Sequence, residues 1–361
     1  MKQVFLHIGT QKTGSSSIQF FLSKNRKRLS ELGYLYPSEK KTHHNLAFTL
    51  LGDPKADYKS NTWEDITAEI DNSKLDKIII SSEFFAQSIK IEFIEKIAAY
   101  LAKYQTKIIV YLKRQDKKVE SSFNQQMKTG VYAGTVEFFL KESKNPNYLK
   151  MLDNWGQVFG RENVIVRPLE KEQIPDIYQD FLKNVGIASL DGFTKTEDRN
   201  VKPNVAQISA INFINQKIAS KLGLKKQGFN KLNRQPKDLA FRNYPKSFFK
   251  YTQHWQASTK YNLIPYEKAL QILEECQEQN NQIAKQYLNR EDGCLFYEPL
   301  EQYEHESLSL ESLSKEQLVD LCSYILKKQT QWMSDKELKQ GIDDSIELNE
   351  SHEDDDYDGD D

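Results

Sequence analysis

Several small sets of residues could do chemistry. Lys12 stands in Gly9-Thr-Gln-Lys-Thr-Gly14, followed at once by Ser15, Ser16 and Ser17. That combination suits a cluster of anionic oxygens. Glycine removes a side chain where backbone must approach a ligand, hydroxyls donate, and lysine brings a mobile cation. A second basic and hydroxylic set, Lys113, Arg114, Ser121 and Ser122, lies in LKRQDKKVESS. Two candidates could take a proton from a reacting group: Glu83, just after the apolar run KIIISS, and the pair His43-His44. Cys276, Cys294 and Cys322 are scattered without metal-ligand spacing. Neither a zinc site nor a disulfide framework is expected from them, no metal is called for, and a reducing compartment fits.

These residues need elements to hold them. Val4 to Ile8 is a short apolar run closed by Gly9, which predicts a buried strand. Ser15 to Leu32 has mostly helical apolar spacing with Gly33 as its stop. Tyr34 to Tyr36 reads as a second short strand, and a polar loop carrying His43 and His44 follows Pro37. Further strands are expected at Lys77 to Ser82, Lys107 to Leu112 and Val164 to Val166, with helices at Ile91 to Tyr104, Asp116 to Met127 and Ile174 to Val185. Strands alternating with helices predict an α/β fold, a P-loop-like parallel sheet flanked by helices. Beyond Gly192 the sequence turns helical, at about 204–222, 265–289 and 315–328. The basic, aromatic stretch 224–263 reads as an irregular cap or insertion. The expected organisation is an α/β domain over 1–300, its part 204–300 mainly helical, a helical extension over 301–334, and an acidic disordered tail over 335–361.

The glycine spacing of Gly9 and Gly14 matches the nucleotide-triphosphatase loop G-x-x-x-x-G-K-[ST], but Ser15 stands where that loop has lysine, and Lys12 comes two residues before Gly14. The run HIGTQKTGSSSIQ instead resembles the 5′-phosphosulfate loop of sulfotransferases that use 3′-phosphoadenosine 5′-phosphosulfate (PAPS), commonly K-T-G-[ST]-[ST]-[ST] after a strand. The resemblance implies that Lys12 contacts the 5′-phosphate and bridging oxygen, and that Thr13, Gly14, Ser15, Ser16 and Ser17 hold the phosphosulfate. It spans about 1–300, most strongly 5–20, 77–85 and 107–127.

PAPS has a 3′-phosphate, so a second anion site is expected. In the family an arginine at a strand end and a serine on the next helix bind it. Counting eight residues from Arg114 reaches Ser122. The bacterial-type pattern L-R-R-Q-D-x-x-x-x-S-x-[YF]-N-Q favours Ser121, because Phe123, Asn124 and Gln125 then fall in register, and it puts Lys113 in the first arginine position. Lysine there keeps the charge and loses the bidentate fork. Arg199 lies in a segment that in the family returns towards the 3′-phosphate. The family also places a catalytic His or Glu after a core strand, which leaves Glu83 and His44 both open as the base.

The formal net charge of −2 hides an asymmetry: residues 343–361 hold 11 acidic and no basic side chains, leaving 50 basic against 41 acidic elsewhere. A basic body suits an anionic ligand. No stretch is long and apolar enough for a membrane span, and no secretory leader precedes the first strand, so a cytoplasmic protein is expected. No nucleic-acid-binding motif is present. The expected reaction is direct in-line transfer of a sulfuryl group to a hydroxyl, with no metal. The resemblance implies an acceptor that is a carbohydrate, from a bacterial setting, and aromatic residues in 224–263 are compatible with stacking on sugars. The competing readings are a P-loop kinase or triphosphatase, and a non-catalytic nucleotide-binding protein.

Overall fold

A computed structural model describes residues 1–87, 90–195, 203–222, 228–229, 236–255, 262–302 and 308–332. In chain order its elements are β1 (Gln3–Gly9), α1 (Ser15–Lys24), α2 (Arg26–Glu31), β2 (Tyr34–Leu35), α3 (His44–Leu51), α4 (Trp63–Asn72), β3 (Lys77–Ser81), α5 (Ile91–Leu101), β4 (Gln105–Leu112) and α6 (Gln115–Lys128). There follow β5 (Tyr132–Ala133), α7 (Val136–Glu142), α8 (Tyr148–Phe159), β6 (Val164–Pro168), α9 (Ile177–Asn184), α10 (Val205–Leu222), β7 (Gly228–Phe229), α11 (Pro236–Tyr251), α12 (Tyr266–Leu288) and α13 (Lys315–Trp332). The chain divides into two compact units. The first comprises Met1–Gln115, Pro146–Arg199 and Glu274–Pro299, the second Asp116–Asn145, Asn200–Leu273 and Leu300–Asp361.

The first unit is an α/β fold around a five-stranded sheet of order β2-β3-β1-β4-β6, in which every pairing is parallel. From β1 the chain builds towards β3 and β2, then crosses to β4 and β6. The carboxyl end of β1 is therefore a topological switch point, where open α/β sheets leave a crevice. Both sheet faces are buried, as parallel sheets require. Phe5, Ile79, Ile109 and Tyr111 share a core with Ile18, Phe21 and Leu22 of α1 and Phe181 and Leu182 of α9. The alternate residues Val4, Leu6, Ile78, Ile80, Ile108 and Val110 are also fully buried.

Two details aim the sheet end. The β1–β4 register shifts between His7 and Gly9, so Ile8 is an extra residue in β1; pairing with β4 runs on to Gly9, whereas pairing with β3 ends at His7. Arg167 of β6 donates through Nε to Asp180 of α9 at 3.1 Å, and the Tyr111 hydroxyl of β4 donates to the same carboxylate at 2.8 Å. These bonds fix α9 across the strand ends, so that its first residue, Ile177, lies beneath Gly14.

The second unit is mainly helical. Its core joins Phe123 and Met127 of α6, Ile208, Ile211 and Ile214 of α10, Phe248 of α11, and Leu321 and Tyr324 of α13.

Several boundaries differ from the sequence reading. The helix expected over Ser15 to Leu32 breaks at Asn25, whose amide nitrogen donates to Phe21 O and Thr194 O. An asparagine that serves tertiary partners in this way competes with helical bonding. His43 and His44 do not sit in a polar loop: His43 is the residue before α3, His44 opens it, and both are buried. The stretch 224–263 is not irregular throughout, since it contains α11 despite Pro245. Residues 335–361 lie outside the described residues.

Candidate functional site

The loop between β1 and α1 is shaped by two glycines that leave no room for substitution. Gly9 has φ +94°, and a Cβ there would lie 2.7 Å from Glu83 Cα. Gly14 has φ +81°, and a Cβ would lie 2.7 Å from Ile177 Cδ1. Lys12 also holds a left-handed backbone, φ 63°. Such a conformation costs a non-glycine residue free energy and persists only where neighbours impose it. Here the neighbours are visible. The Ser15 hydroxyl donates to Thr10 O at 3.0 Å, the buried Thr13 hydroxyl donates to the same oxygen, and Thr10 N donates to Tyr111 O at 3.3 Å. Thr13 and Ser15 thus close the loop on itself, while Ser16 and Ser17 are half-buried on the first turn of α1.

That turn is open to an anion. Its N-cap is Gly14, no side chain caps it, and no acidic residue stands in it. Uncapped first-turn N–H groups carry the positive end of the helix dipole and favour a phosphate or sulfate. The residues present therefore fit an anionic ligand at Lys12 to Ser17.

Glu83 stands beside this loop, opening a single 3-10 turn right after β3. It is buried, and Gln19 of α1 donates from Nε2 to Glu83 Oε2 at 2.8 Å. His44 Nε2 lies 3.8 Å from the same oxygen. That separation is an ion-pair distance, too long for a hydrogen bond. His44 Nδ1 bonds with Ser82 Oγ at 2.9 Å.

The two adjacent histidines have different work. His43 Nδ1 accepts from Ser81 N–H at 3.0 Å, so its hydrogen is on Nε2, which donates to Pro37 O at 2.9 Å. Burial pushes the His43 pKa down to about 4. His43 is a neutral strut between β3 and the chain after β2. His44 Nε2 has no hydrogen-bond partner among the described residues. His7 of β1 is a second strut: its Nδ1 bonds with Ser81 Oγ at 2.7 Å, its ring packs edge-on against Tyr111 and Phe181, and burial lowers its pKa to about 4 against the opposing pull of the Glu83 charge. The sequence reading missed both His7 and Gln19. They lie inside the strand and helix patterns, and only their polarity at apolar positions marks them.

The second set is spread over both units. Arg114, just beyond β4, is buried, and its NH1 donates to Glu298 O at 2.5 Å and Pro299 O at 3.1 Å. Glu170 anchors the same segment by accepting from Tyr297 N and Glu298 N. Lys113 is half-buried, and its carbonyl accepts from the Tyr148 hydroxyl. Ser121 and Ser122 lie on α6. Ser122 turns its hydroxyl back onto Lys118 O at 3.0 Å, and no such bond is seen for Ser121 among the described residues. Arg199 lies outside the described residues. Among those described, no group of three metal-ligating side chains suits a metal ion, and no helix is long and apolar enough to cross a membrane.

No protein-family model matches the chain. An uncharacterized protein of Archaeoglobus fulgidus is 25% identical over 223 residues, 61% of this chain. The match takes in 56% of that protein, so the chain spans about half the length of the curated relative it matches. Among solved structures, a sulfotransferase from Alicyclobacillus acidocaldarius aligns at 16% identity over 62% of this chain and 97% of the other, with a TM-score of 0.36. A superposition that loose carries no argument, and the α/β assignment rests on the sheet itself.

Proposed function

We propose that the chain is a sulfotransferase, moving a sulfuryl group from PAPS to a hydroxyl by direct in-line transfer. The observation that carries this reading is the loop: an uncapped α1 N-terminus behind Gly9 and Gly14, with Lys12 ahead of the second glycine and a buried carboxylate, Glu83, packed against the first. Lysine placement separates this loop from the triphosphatase pattern. When bound, PAPS supplies an already activated sulfuryl group.

The chain's own residues then have three tasks. Lys12, with the first-turn N–H groups and the hydroxyls of Ser16 and Ser17, stabilises charge that grows on the departing 5′-phosphate. Thr13 and Ser15 keep the loop in shape. Glu83 takes the acceptor proton: Gln19 and His44 occupy the side of Oε2, which leaves Oε1 for the acceptor. By the family resemblance, Lys113, Arg114 and Ser121 serve the 3′-phosphate, with Ser122 and Arg199 as further contacts, and the acceptor is a glycan.

The test is thermal stabilisation by adenosine 3′,5′-bisphosphate compared with ATP and Mg²⁺. A ligand that binds only the folded state at about 100 times its Kd stabilises by about 2.7 kcal/mol. The expected result is a larger shift with the bisphosphate. A preference for ATP–Mg²⁺ would instead establish the kinase or triphosphatase reading.

A further inference from the structure

Three polar side chains packed around Glu83 share an unusual property. Gln19 Oε1, His44 Nε2 and His7 Nε2 are all buried and have no hydrogen-bond partner among the described residues. A buried polar atom left unpaired costs folding free energy, and each one calls for a reason, such as a role in chemistry. Here they surround one carboxylate from three elements, α1, α3 and β1.

Each has one fixed end and one open end. Gln19 is fixed through Nε2, at 2.8 Å from Glu83 Oε2. His44 is fixed through Nδ1, on Ser82 Oγ, and points Nε2 at the same Oε2 from 3.8 Å. The Phe84 ring lies edge-on to His44 at 4.7 Å and Phe48 at 6.2 Å, which limits how far the imidazole can swing. His7 is fixed on Ser81 Oγ and feels the Glu83 charge. Gln19 Nε2 and His44 Nε2 thus both face Oε2. Catalytic hydrogen bonds are often long without substrate and shorten in the reacting complex, and the 3.8 Å gap has that form.

We propose that Gln19 and His44 are positioning residues that act through Glu83. Together they hold Oε2, so that Oε1 is the oxygen presented to the acceptor. This rests on the reading of Glu83 as the base. Gln19 sits on the helix whose N-terminus is the anion site, five residues beyond Gly14, so one rigid element connects the anion site to the orientation of the carboxylate. The proton balance is simple. The acceptor O–H bond breaks as the O–S bond forms, the proton goes to Glu83 Oε1, and the S–O bond to the 5′-phosphate breaks with its electron pair on the phosphate. Gln19 and His44 neither gain nor lose a proton in that step. With Glu83 as the base, His44 acts through it and does not take the proton itself.

The experiment uses the full chain with Gln19→Leu, His44→Gln, His44→Ala and Glu83→Gln. The ¹⁵N resonances of the His44 ring are followed by NMR at one fixed pH, with His43, bonded to Ser81 and Pro37, as the internal reference. Adenosine 3′,5′-bisphosphate binding is measured on every variant, and release of that nucleotide from PAPS reports turnover. The expected Gln19→Leu result is a change in the His44 ring ¹⁵N shifts, because the carboxylate, having lost one donor, leans on the other. Its nucleotide affinity should stay within about threefold of wild type while turnover falls about tenfold or more. His44→Gln, which can still donate to Oε2, should recover most of the turnover that His44→Ala loses. Unchanged His44 ring shifts in Gln19→Leu would overturn the clamp, as would a His44→Gln variant as impaired as His44→Ala. Failure of the wild type to bind the bisphosphate would instead overturn the sulfotransferase reading, and the NMR coupling would still report on the clamp.

Discussion

At the scale of single residues, Gly9 and Lys12 make opposite predictions. Gly9→Ala would meet both a left-handed φ and a backbone atom of Glu83 at 2.7 Å. It should lower stability by about 1–3 kcal/mol, read as a fall in the urea midpoint, and weaken bisphosphate binding because Glu83 and the loop must part. Lys12→Ala removes only a side chain on a half-buried loop. Turnover should fall by about 10²–10³, the range for losing one preorganised donor at a developing negative charge, well beyond any change in the urea midpoint. The loop lysine and its glycines were legible in the sequence because their spacing is local. The division of labour between His43 and His44 was not. It depends on Ser81 and Ser82, whose hydrogen bonds come from a strand distant in sequence. Glu83 could be placed at a sheet edge, but its partners Gln19 and His44 could not be paired with it before the fold brought α1 and α3 together.

At the scale of elements, α4 offers a control. Thr62 accepts from Asp65 N and Asp65 accepts from Thr62 N, a reciprocal capping box. Thr62→Ala should cost about 1 kcal/mol in thermal or urea unfolding and leave bisphosphate affinity unchanged, since α4 carries no site residue. Any loss of affinity there would mean that the anion loop responds to general destabilisation, and it would weaken what Lys12→Ala can show. The strands β1, β3, β4 and β6 were readable because each is a concentrated apolar run. Helices α3 and α4 were not: α3 is short, and a polar stretch on either side masks its buried His44, Leu46, Ala47 and Phe48. α11 was hidden by Pro245, where tertiary packing overrides a residue that ordinarily interrupts helices.

At the scale of the whole molecule, stability should fall with acid in a defined window. His7 and His43 are neutral and buried, with folded pKa values lowered from 6.5 to about 4. Between those values the unfolded chain takes up protons that the folded chain refuses. Each histidine then removes about 1.4 kcal/mol of stability per pH unit as pH falls, and neither contributes above about 6.5. Urea unfolding at pH 7, 5.5 and 4.5 should show this slope, and His43→Gln should flatten it. The parallel sheet has a further consequence, for synthesis. Gln3 pairs with both Lys77 and Gln105, and β4 is in turn flanked by β6, which ends at Pro168. The anion loop is made before β3, β4 and β6, the strands that hold its shape. A growing chain therefore carries this segment unfinished until those strands follow, and nucleotide capture by stalled chains should begin only once β6 is outside the exit tunnel.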